Sequence, residues 1–377
     1  MLIIINNNKL SNLLKKVKNI TTDKDSNNKI YSYVKISAYD GVLTLEVLNS
    51  IFSAKICSND LKISKEGSII IDANLIYELI SKLSADLDTT IENVDTAKLL
   101  IKNGKFSGNV NTIVNCEFPD INYEPASQNG SFELSKKTFE HLITHVVPFS
   151  LTNQLKQETK DCILIDSTRV ENKIEFAATD TFQLAYLVED FNGPKFRKII
   201  DCEIIKMINN LFNTEKIKLF LEENSIVVIS ENLKLLCKLN SSKTQFPQIN
   251  LVDNKSDFDV IVKKTNLLNA LELCSIINLK DAFSKIDLTF TRNNLLISSK
   301  NIENGSTENN IEINCQLENF AFNIVNKTLT NVIKSILSDN IVFKFNNAKP
   351  KIVFICDEKN SSYKYFIAVN VTSPLKN

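Results

Sequence analysis

Apolar and polar positions along the chain fall into a phrase that occurs three times. Residues 2–17, 131–146 and 259–274 each open with strand-like alternation, pass through a polar step and continue with helical spacing. The anchors Ile3, Phe132 and Val260 are followed seven places on by Leu10, Phe139 and Leu267, at offsets of 129 and 128 in a chain of 377 residues. A period near one third of the length predicts a single structural unit in three copies. A second phrase supports the same period: Ile70-Ile71-Asp72 followed by Ile76, Leu79 and Leu83 recurs as Ile199-Ile200-Asp201 followed by Ile205, Ile208 and Phe212. A weaker third copy runs from Ile324 through Leu329, Val332, Ile333 and Ile336. Phe118-Pro119-Asp120 and Phe246-Pro247-Gln248 close the first two units, which predicts domains at 1–129, 130–254 and 255–377.

Between these phrases the period is two. Asp40-Gly41, joining alternating runs at 31–38 and 42–47, is a strong two-residue hairpin signal, with Glu171-Asn172 and Asn293-Asn294 as its counterparts. Further alternating runs at 216–229, 233–239, 311–317, 341–345, 352–356 and 363–371 make strands outnumber helices, with two helices per unit. Such a chain is expected to be α+β, with antiparallel sheets covered on one face by helices.

Composition narrows the function classes. A formal net charge of zero with 43% hydrophobic residues suits units of ordinary core size, and seven Gly with seven Pro leave little for low-complexity linkers. The eight cysteines contain no Cys-x-x-Cys pair, so buried reduced thiols are expected rather than a zinc or redox site. No apolar run approaches a membrane span, and the N-terminus lacks a charged segment before its apolar residues, so a cytoplasmic protein is expected. Phosphate-binding glycine loops and nucleophile elbows are absent from the sequence. His141 and His145, four apart on a predicted helix, could share a metal only with further ligands, and Glu140 precedes the first imidazole instead of following it. The plainer expectation is two structural imidazoles.

Charge is placed unevenly. Over the predicted helices 7–18, 72–83, 135–147, 201–212, 263–275 and 326–338 the formal charges are +4, −1, +1, −1, +1 and +2. They sum to +6, leaving −6 elsewhere. A positive helical layer on a neutral molecule meets phosphate weakly and without reading sequence.

Taken in order, the three tandem units, Phe118-Pro119-Asp120, Ala178-Thr179-Asp180, Leu184-Ala185, Phe246-Pro247, Phe322-Asn323-Ile324 and the closing apolar strand resemble the bacterial DNA sliding clamp family, the β subunit of DNA polymerase III. The resemblance spans the whole chain. It implies a head-to-tail homodimer that closes a ring of six domains, helices inside and sheets outside, around double-stranded DNA. Twelve helices spaced about 8 to 10 Å apart make a circle roughly 30 to 40 Å across at their axes. Half a helix thickness on each side leaves roughly 20 to 30 Å, wide enough for a duplex to pass loosely.

The resemblance implies no catalysis and no cofactor: the ring would tether the replicative polymerase, the clamp loader and repair proteins through short peptide motifs. It places Lys15, Lys16, Lys24, Lys136, Lys137, Gln154, Lys264 and Lys334 toward DNA, and at Asn74 it would have a basic residue. It implies a peptide pocket lined by Thr179, Leu184, Pro247, Val252, Phe283, Asn323, Ile367, Val369, Asn370 and Val371. Thr181-Phe182-Gln183 replaces the family's usual Gly-His-Arg, Asn326 stands at a position often aromatic, and Asn370 replaces a common Pro. The subunit contact would involve edge strands at 105–110 and 310–315, with Lys105, Val110, Ile311 and Ile313 on them and Ile276 and Ile277 beside the second.

Overall fold

The computed structural model describes residues 1–21, 28–126, 130–150, 161–180, 182–240, 246–247, 249–253, 255–278, 281, 283–315, 319–360 and 362–373. The repeat is visible in what is buried. Ile3, Phe132 and Val260 are at most 8% exposed, and Leu10, Phe139 and Leu267 are fully buried. Each strand–helix phrase therefore directs its anchor and its partner into a core, as strand and helix periodicity require together.

The helices are α1 (Asn7–Ile20), α2 (Ala73–Lys82), α3 (Lys136–His141), α4 (Cys202–Leu211), α5 (Lys264–Ser275) and α6 (Asn326–Ser335). In α1, Leu10, Leu14, Val17 and Ile20 form a buried stripe, and the Asn6 side chain caps the first turn by accepting from the Lys9 N–H. Asp72 caps α2 in the same way, accepting from the Leu75 N–H at 2.8 Å. The inner face of α2 is Ala73, Ile76 and Ile80. Leu79 and Leu83, expected from the spacing to be core, are only half-buried, because the capped start fixes the phase of the helix one residue away from theirs. The helix expected over 135–147 changes pitch: α3 gives way to a π-helical turn at Leu142–Val146 and a 3-10 turn at Val147–Phe149. Pro148 has no N–H to continue the ladder, which closes the segment there.

One detail repeats three times. The first residue of α1, α3 and α5 is Asn7, Lys136 and Lys264, and the N–H of each donates across to Leu87, Glu215 and Asp339 carbonyls at 3.0, 2.9 and 2.8 Å. Their side chains donate to carbonyls where the second helix of each copy ends: Asn7 Nδ2 to Ile80 O at 3.1 Å, Lys136 Nζ to Asn209 O, and Lys264 Nζ to Ile336 O. The last carbonyls of a helix lack partners within it and carry partial negative charge, so an amide or ammonium there stabilises the helix end and locks the pair.

By contacts the chain divides into two compact units, residues 1–139 with 203–241, and 140–202 with 242–377. Each holds one eight-stranded and one five-stranded antiparallel sheet. In the first unit, strands Ser131–Ser135, Lys216–Leu221, Ser225–Ser230 and Leu233–Lys238 run on into Phe52–Ser58, Val42–Leu48, Tyr33–Tyr39 and Gly67–Asp72. In the second, Arg197–Asp201, Cys162–Asp166, Lys173–Thr179 and Gln183–Asp190 run on into Tyr363–Ala368, Ile352–Asp357, Asn340–Phe345 and Phe258–Lys263. The middle third of the sequence thus gives half of its strands to each eight-stranded sheet. The joins are Phe52–Ser58 with Leu233–Lys238, and Gln183–Asp190 with Tyr363–Ala368.

Asp40 and Gly41 both take positive φ, 49° and 77°, as the first hairpin requires. The hairpin expected at Asn293-Asn294 turns one residue earlier. Thr291 and Asn294 exchange backbone hydrogen bonds at 2.9 and 3.4 Å, leaving Arg292-Asn293 in the loop. The reason is register: Phe290 and Leu295 face each other across the ladder and both are fully buried, so a slip of one place would expose them.

Candidate functional site

The outer face of the second unit's large sheet carries an apolar cleft. Alternation puts Ala177 and Thr179, Leu184 and Tyr186, Phe354, and Phe366 with Ala368 on this face. Residues 246–247 and 249–253 lie over it, with Ile249 and Val252 packed into a cluster with Leu164, Leu184, Tyr186 and Phe366. Beside that segment a cleft of about 230 Å³ remains, with Leu184, Ile352, Phe366 and Ala368 as its floor and Phe246, Pro247, Ile249 and Leu251 as its wall. Thr179, Phe182 and Gln183 close one end. Asp180 shapes that end by accepting from the Phe182 and Gln183 N–H groups at 2.9 and 2.8 Å. Thr179 Oγ1 donates to Gln183 O at 2.7 Å. Phe182 is 63% exposed, an aromatic lip on an apolar cleft. Gln183 Oε1 is buried with no hydrogen-bond partner among the described residues. The arrangement suits an extended peptide with apolar side chains, for which the cleft supplies walls.

Of the pocket residues expected from sequence, Thr179, Leu184 and Pro247 line the cleft. Val252 lies beneath it in the core cluster. Ile367 is 2% exposed and alternates with Phe366 and Ala368, so it faces the opposite side of the sheet, and Val369 is buried at 6%. Asn370 donates to Asn323 at 3.2 Å, and Val371 pairs with Phe322 at the edge of the smaller sheet. Phe283 is 58% exposed and is not among the lining residues. Phe246, Ile249, Leu251, Ile352, Phe366 and Ala368 were missed. The alternation of 363–368 could have offered Phe366 and Ala368, but only with the correct face known.

The lysines expected to face DNA divide into two groups. Lys15, Lys137 and Lys334 are exposed on α1, α3 and α6, and Lys16 is half-buried. Lys136 and Lys264 are half-buried, with their ammonium groups on the helix-end carbonyls described above. Lys24 and Gln154 lie outside the described residues. Asn74 is half-buried on the first turn of α2.

Both expected edge strands are edges. Phe106–Asn111 ends one five-stranded sheet and Gly305–Glu312 ends the other. The second starts five residues earlier than expected, so Ile313 falls just past it, half-buried, while Ile311 lies on it, 5% exposed. Lys105 is exposed in the turn and Val110 half-buried on the first edge. Ile276 is 53% exposed and Ile277 half-buried after α5. Leu273 and Ile302 are further exposed apolar groups near that edge that the sequence reading passed over.

The histidines are engaged structurally. His141 Nδ1 is 3.1 Å from Glu189 Oε1. His145, 1% exposed, holds Tyr365 Oη at 2.9 Å and stacks on Tyr363, while Ser335 also donates to Tyr365 and Tyr363 to Asp357. Burial, with His141 nearby, pulls the His145 imidazole down to about 4. No His, Cys, Asp and Glu cluster of metal-binding form occurs among the described residues. The cysteines are unbridged and mostly buried, and burial pushes the Cys356 thiol up to about 11. No helix among the described residues is long and apolar enough to cross a membrane.

Comparison with known proteins decides what these features belong to. The family model for the N-terminal domain of the DNA polymerase III β subunit matches residues 1–123, and that for its C-terminal domain matches residues 250–370. The chain belongs to the DNA polymerase III β-subunit family. A β sliding clamp of Mycoplasma pneumoniae is 28% identical over 327 residues, covering 81% of this chain and 82% of that one. The β subunit of Pseudomonas aeruginosa has the same fold, with a TM-score of 0.87 at 17% identity over 98% of this chain and 99% of that one. A β sliding clamp of C. crescentus, solved with polyethylene glycol at a candidate β-motif tethering region, superimposes with a TM-score of 0.85 at 17% identity and the same coverage. As a member of this β-subunit family the chain is a non-catalytic accessory subunit of the polymerase.

Proposed function

We propose that this β subunit is a DNA sliding clamp, a processivity factor that closes head to tail as a homodimeric ring around double-stranded DNA. The observation that carries the ring is the rule by which the chain joins its own strands. The fourth strand of the first third, Phe52–Ser58, takes the last strand of the middle third, Leu233–Lys238. The corresponding strand of the middle third, Gln183–Asp190, takes Tyr363–Ala368 of the last. Applied once more, the rule assigns Gly305–Glu312 of the last third to Phe106–Asn111 of the first, and each is an end strand of its five-stranded sheet. Ala54 pairs with Leu235 and Ala185 with Tyr365. Carrying these positions through the hairpin ladders to those two strands puts Gly108 opposite Thr307, and therefore Ser107 opposite Glu308.

Pairing of the two edges between copies satisfies backbone groups that would otherwise invite uncontrolled association, and the alternate domains 1–129, 130–254 and 255–377 then repeat around a closed circle. Exposed Leu273 and Ile276 would pack beside the seam. Encirclement needs no tight DNA contact, so a neutral chain with Lys15, Lys16, Lys137 and Lys334 as transient phosphate partners suffices. The cleft on the second unit's sheet would take the apolar ends of short peptides from the replicative polymerase, the clamp loader and repair proteins, holding each at high effective concentration near DNA in the cytoplasm. The β-motif tethering named for the C. crescentus clamp supports that reading.

The derived register is open to a direct test. Ser107→Cys combined with Glu308→Cys is expected to form a covalent dimer under mild oxidation, and the cross-linked ring to stay on nicked circular DNA but slide off once that DNA is cut. A monomer at micromolar concentration, or equal loss from circular and linear DNA, would defeat the clamp reading.

A further inference from the structure

Across the sheet face from the cleft lies an ion network that the clamp function has not used. Arg169, in the turn after Cys162–Asp166, directs Nε to Glu175 Oε2 at 2.9 Å and one terminal nitrogen to Glu175 Oε1. The Glu175 side chain is 1% exposed and also accepts from the Tyr186 hydroxyl, whose own oxygen is 3.4 Å from the same guanidinium. The other terminal nitrogen of Arg169 meets Asp253 Oδ2 at 2.5 Å. The hydrogen bond to Glu175 raises the Arg169 guanidinium above its ordinary value, and burial raises the Tyr186 phenol, so both stay protonated.

Asp253 ends the 3-10 turn Asn250–Asp253, the piece that puts Val252 into the core and Leu251 into the wall of the cleft. The same turn carries a bond from Val252 N to Ile249 O at 3.1 Å, and Lys364 Nζ reaches it from the sheet at Val252 O, 3.4 Å away. A guanidinium is a flat, rigid fork, so two bonds to a buried carboxylate fix where its third arm points. Glu175 cannot give up that pairing without leaving a buried charge unpaired.

We propose that Arg169 is a positioning residue for the peptide cleft: anchored on buried Glu175, it holds Asp253 and so sets the distance between the 249–253 wall and the Leu184–Phe366 floor. This rests on the reading of the cleft as a peptide site. Arg169 and Asp253 are 84 residues apart in sequence, and neither lines the cleft.

The discriminating variant is Asp253→Asn. Its side chain is 62% exposed, so losing its charge touches the wall and leaves the Arg169–Glu175 core intact. Two readouts are taken on the full-length protein: amide exchange over 249–253 without peptide, and the Kd of a fluorescein-labelled hexapeptide ending Leu-Phe. Exchange is expected to quicken and Kd to rise roughly fivefold, with Tm within about 2 °C of wild type and with Asp253→Glu close to wild type in both. Unchanged exchange, or faster exchange with unchanged Kd, would overturn the proposal. Failure of the wild-type chain to bind the peptide at all would overturn the cleft reading beneath it, and the peptide-free exchange tells the two failures apart.

Discussion

The two eight-stranded sheets are built by one rule, yet the clefts on their outer faces are lined differently. Equivalent positions explain the difference. Where the second sheet presents Leu184, Ile352, Phe366 and Ala368, the first presents Ser53, Ser225, Leu236 and Lys238. Where the overlying segment of the second brings half-buried Leu251, that of the first brings Tyr123, 5% exposed. The same segment in the first unit is tied down by Glu124 to Lys234 and by the Ala126 N–H to Glu222 at 2.8 Å. A repeated architecture thus supplies two equivalent faces, and a few side chains decide how apolar each floor is. The Arg169–Asp253 pair belongs to the second face, where it would hold the segment over the sheet at a defined height.

The comparison can be broken most strongly through acid. Beneath the second join, buried His145 contacts Tyr365, while the position matching Tyr365 beneath the first is the fully buried Leu235. His145 is held at about 4 when folded, mainly by burial, against an ordinary value near 6.5. Between those values the unfolded chain binds a proton that the folded chain refuses. The contribution is therefore present in full above about pH 6.5 and is lost as pH falls toward 4, by no more than about 3 kcal/mol. Asp357 behaves as a second, later acid step. Burial works to raise its carboxyl, but hydrogen bonds from Tyr363, Lys359 and Ser338 prevail and hold it at about 2, so its stabilisation fades only below about pH 4. Amide-exchange free energies of 363–368 should therefore drop between pH 7 and 5 while those of 233–238 hold, and His145→Leu should remove the difference. A parallel fall in both sheets would mean the two joins are not distinguished by this imidazole.

A smaller effect comes from giving the second sheet's cleft the chemistry of the first sheet's face. Leu184→Ser with Ala368→Lys copies Ser53 and Lys238. It is expected to weaken the Leu-Phe hexapeptide by about thirtyfold or more, roughly 2 kcal/mol of lost apolar contact. Retention of the protein on nicked circular DNA should be unchanged, since neither residue is on an edge strand. Full peptide affinity in the double variant would show that the floor of the cleft is not what distinguishes the faces.

How much of this could be read from the sequence differs with the distance over which each feature is specified. The threefold repeat was visible because its signals are local: Ile3 and Leu10 are seven residues apart, and Asp40-Gly41 encodes its own turn. Thr179, Leu184 and Pro247 came from short motifs that carried the family resemblance. Ile367 was misplaced because strand side chains alternate, so an error of one position moves a residue to the other face. Phe366 and Ala368 were missed for the same reason. The sharing of the middle third between two sheets, and the reach of Arg169 to Asp253, depend on pairings that no local pattern encodes. Lys136 and Lys264 show the opposite limit: their charge was read correctly, but the helix-end carbonyls that receive it belong to segments more than seventy residues away.

The finest distinction between the faces rests on Phe182. Its 63% exposure means the fold gains little from the ring, so Phe182→Ala should leave Tm within about 1 °C. A bound peptide would cover that ring, and an aromatic contact of this kind contributes about 1 kcal/mol. The expected result is therefore about a fivefold rise in Kd for the hexapeptide ending Leu-Phe and a smaller rise for one ending Leu-Ala, because the missing ring loses an aromatic partner in the first case only. Equal losses for the two peptides would show that the lip contributes bulk alone. No loss for either would place the bound chain away from the Thr179 end of the cleft.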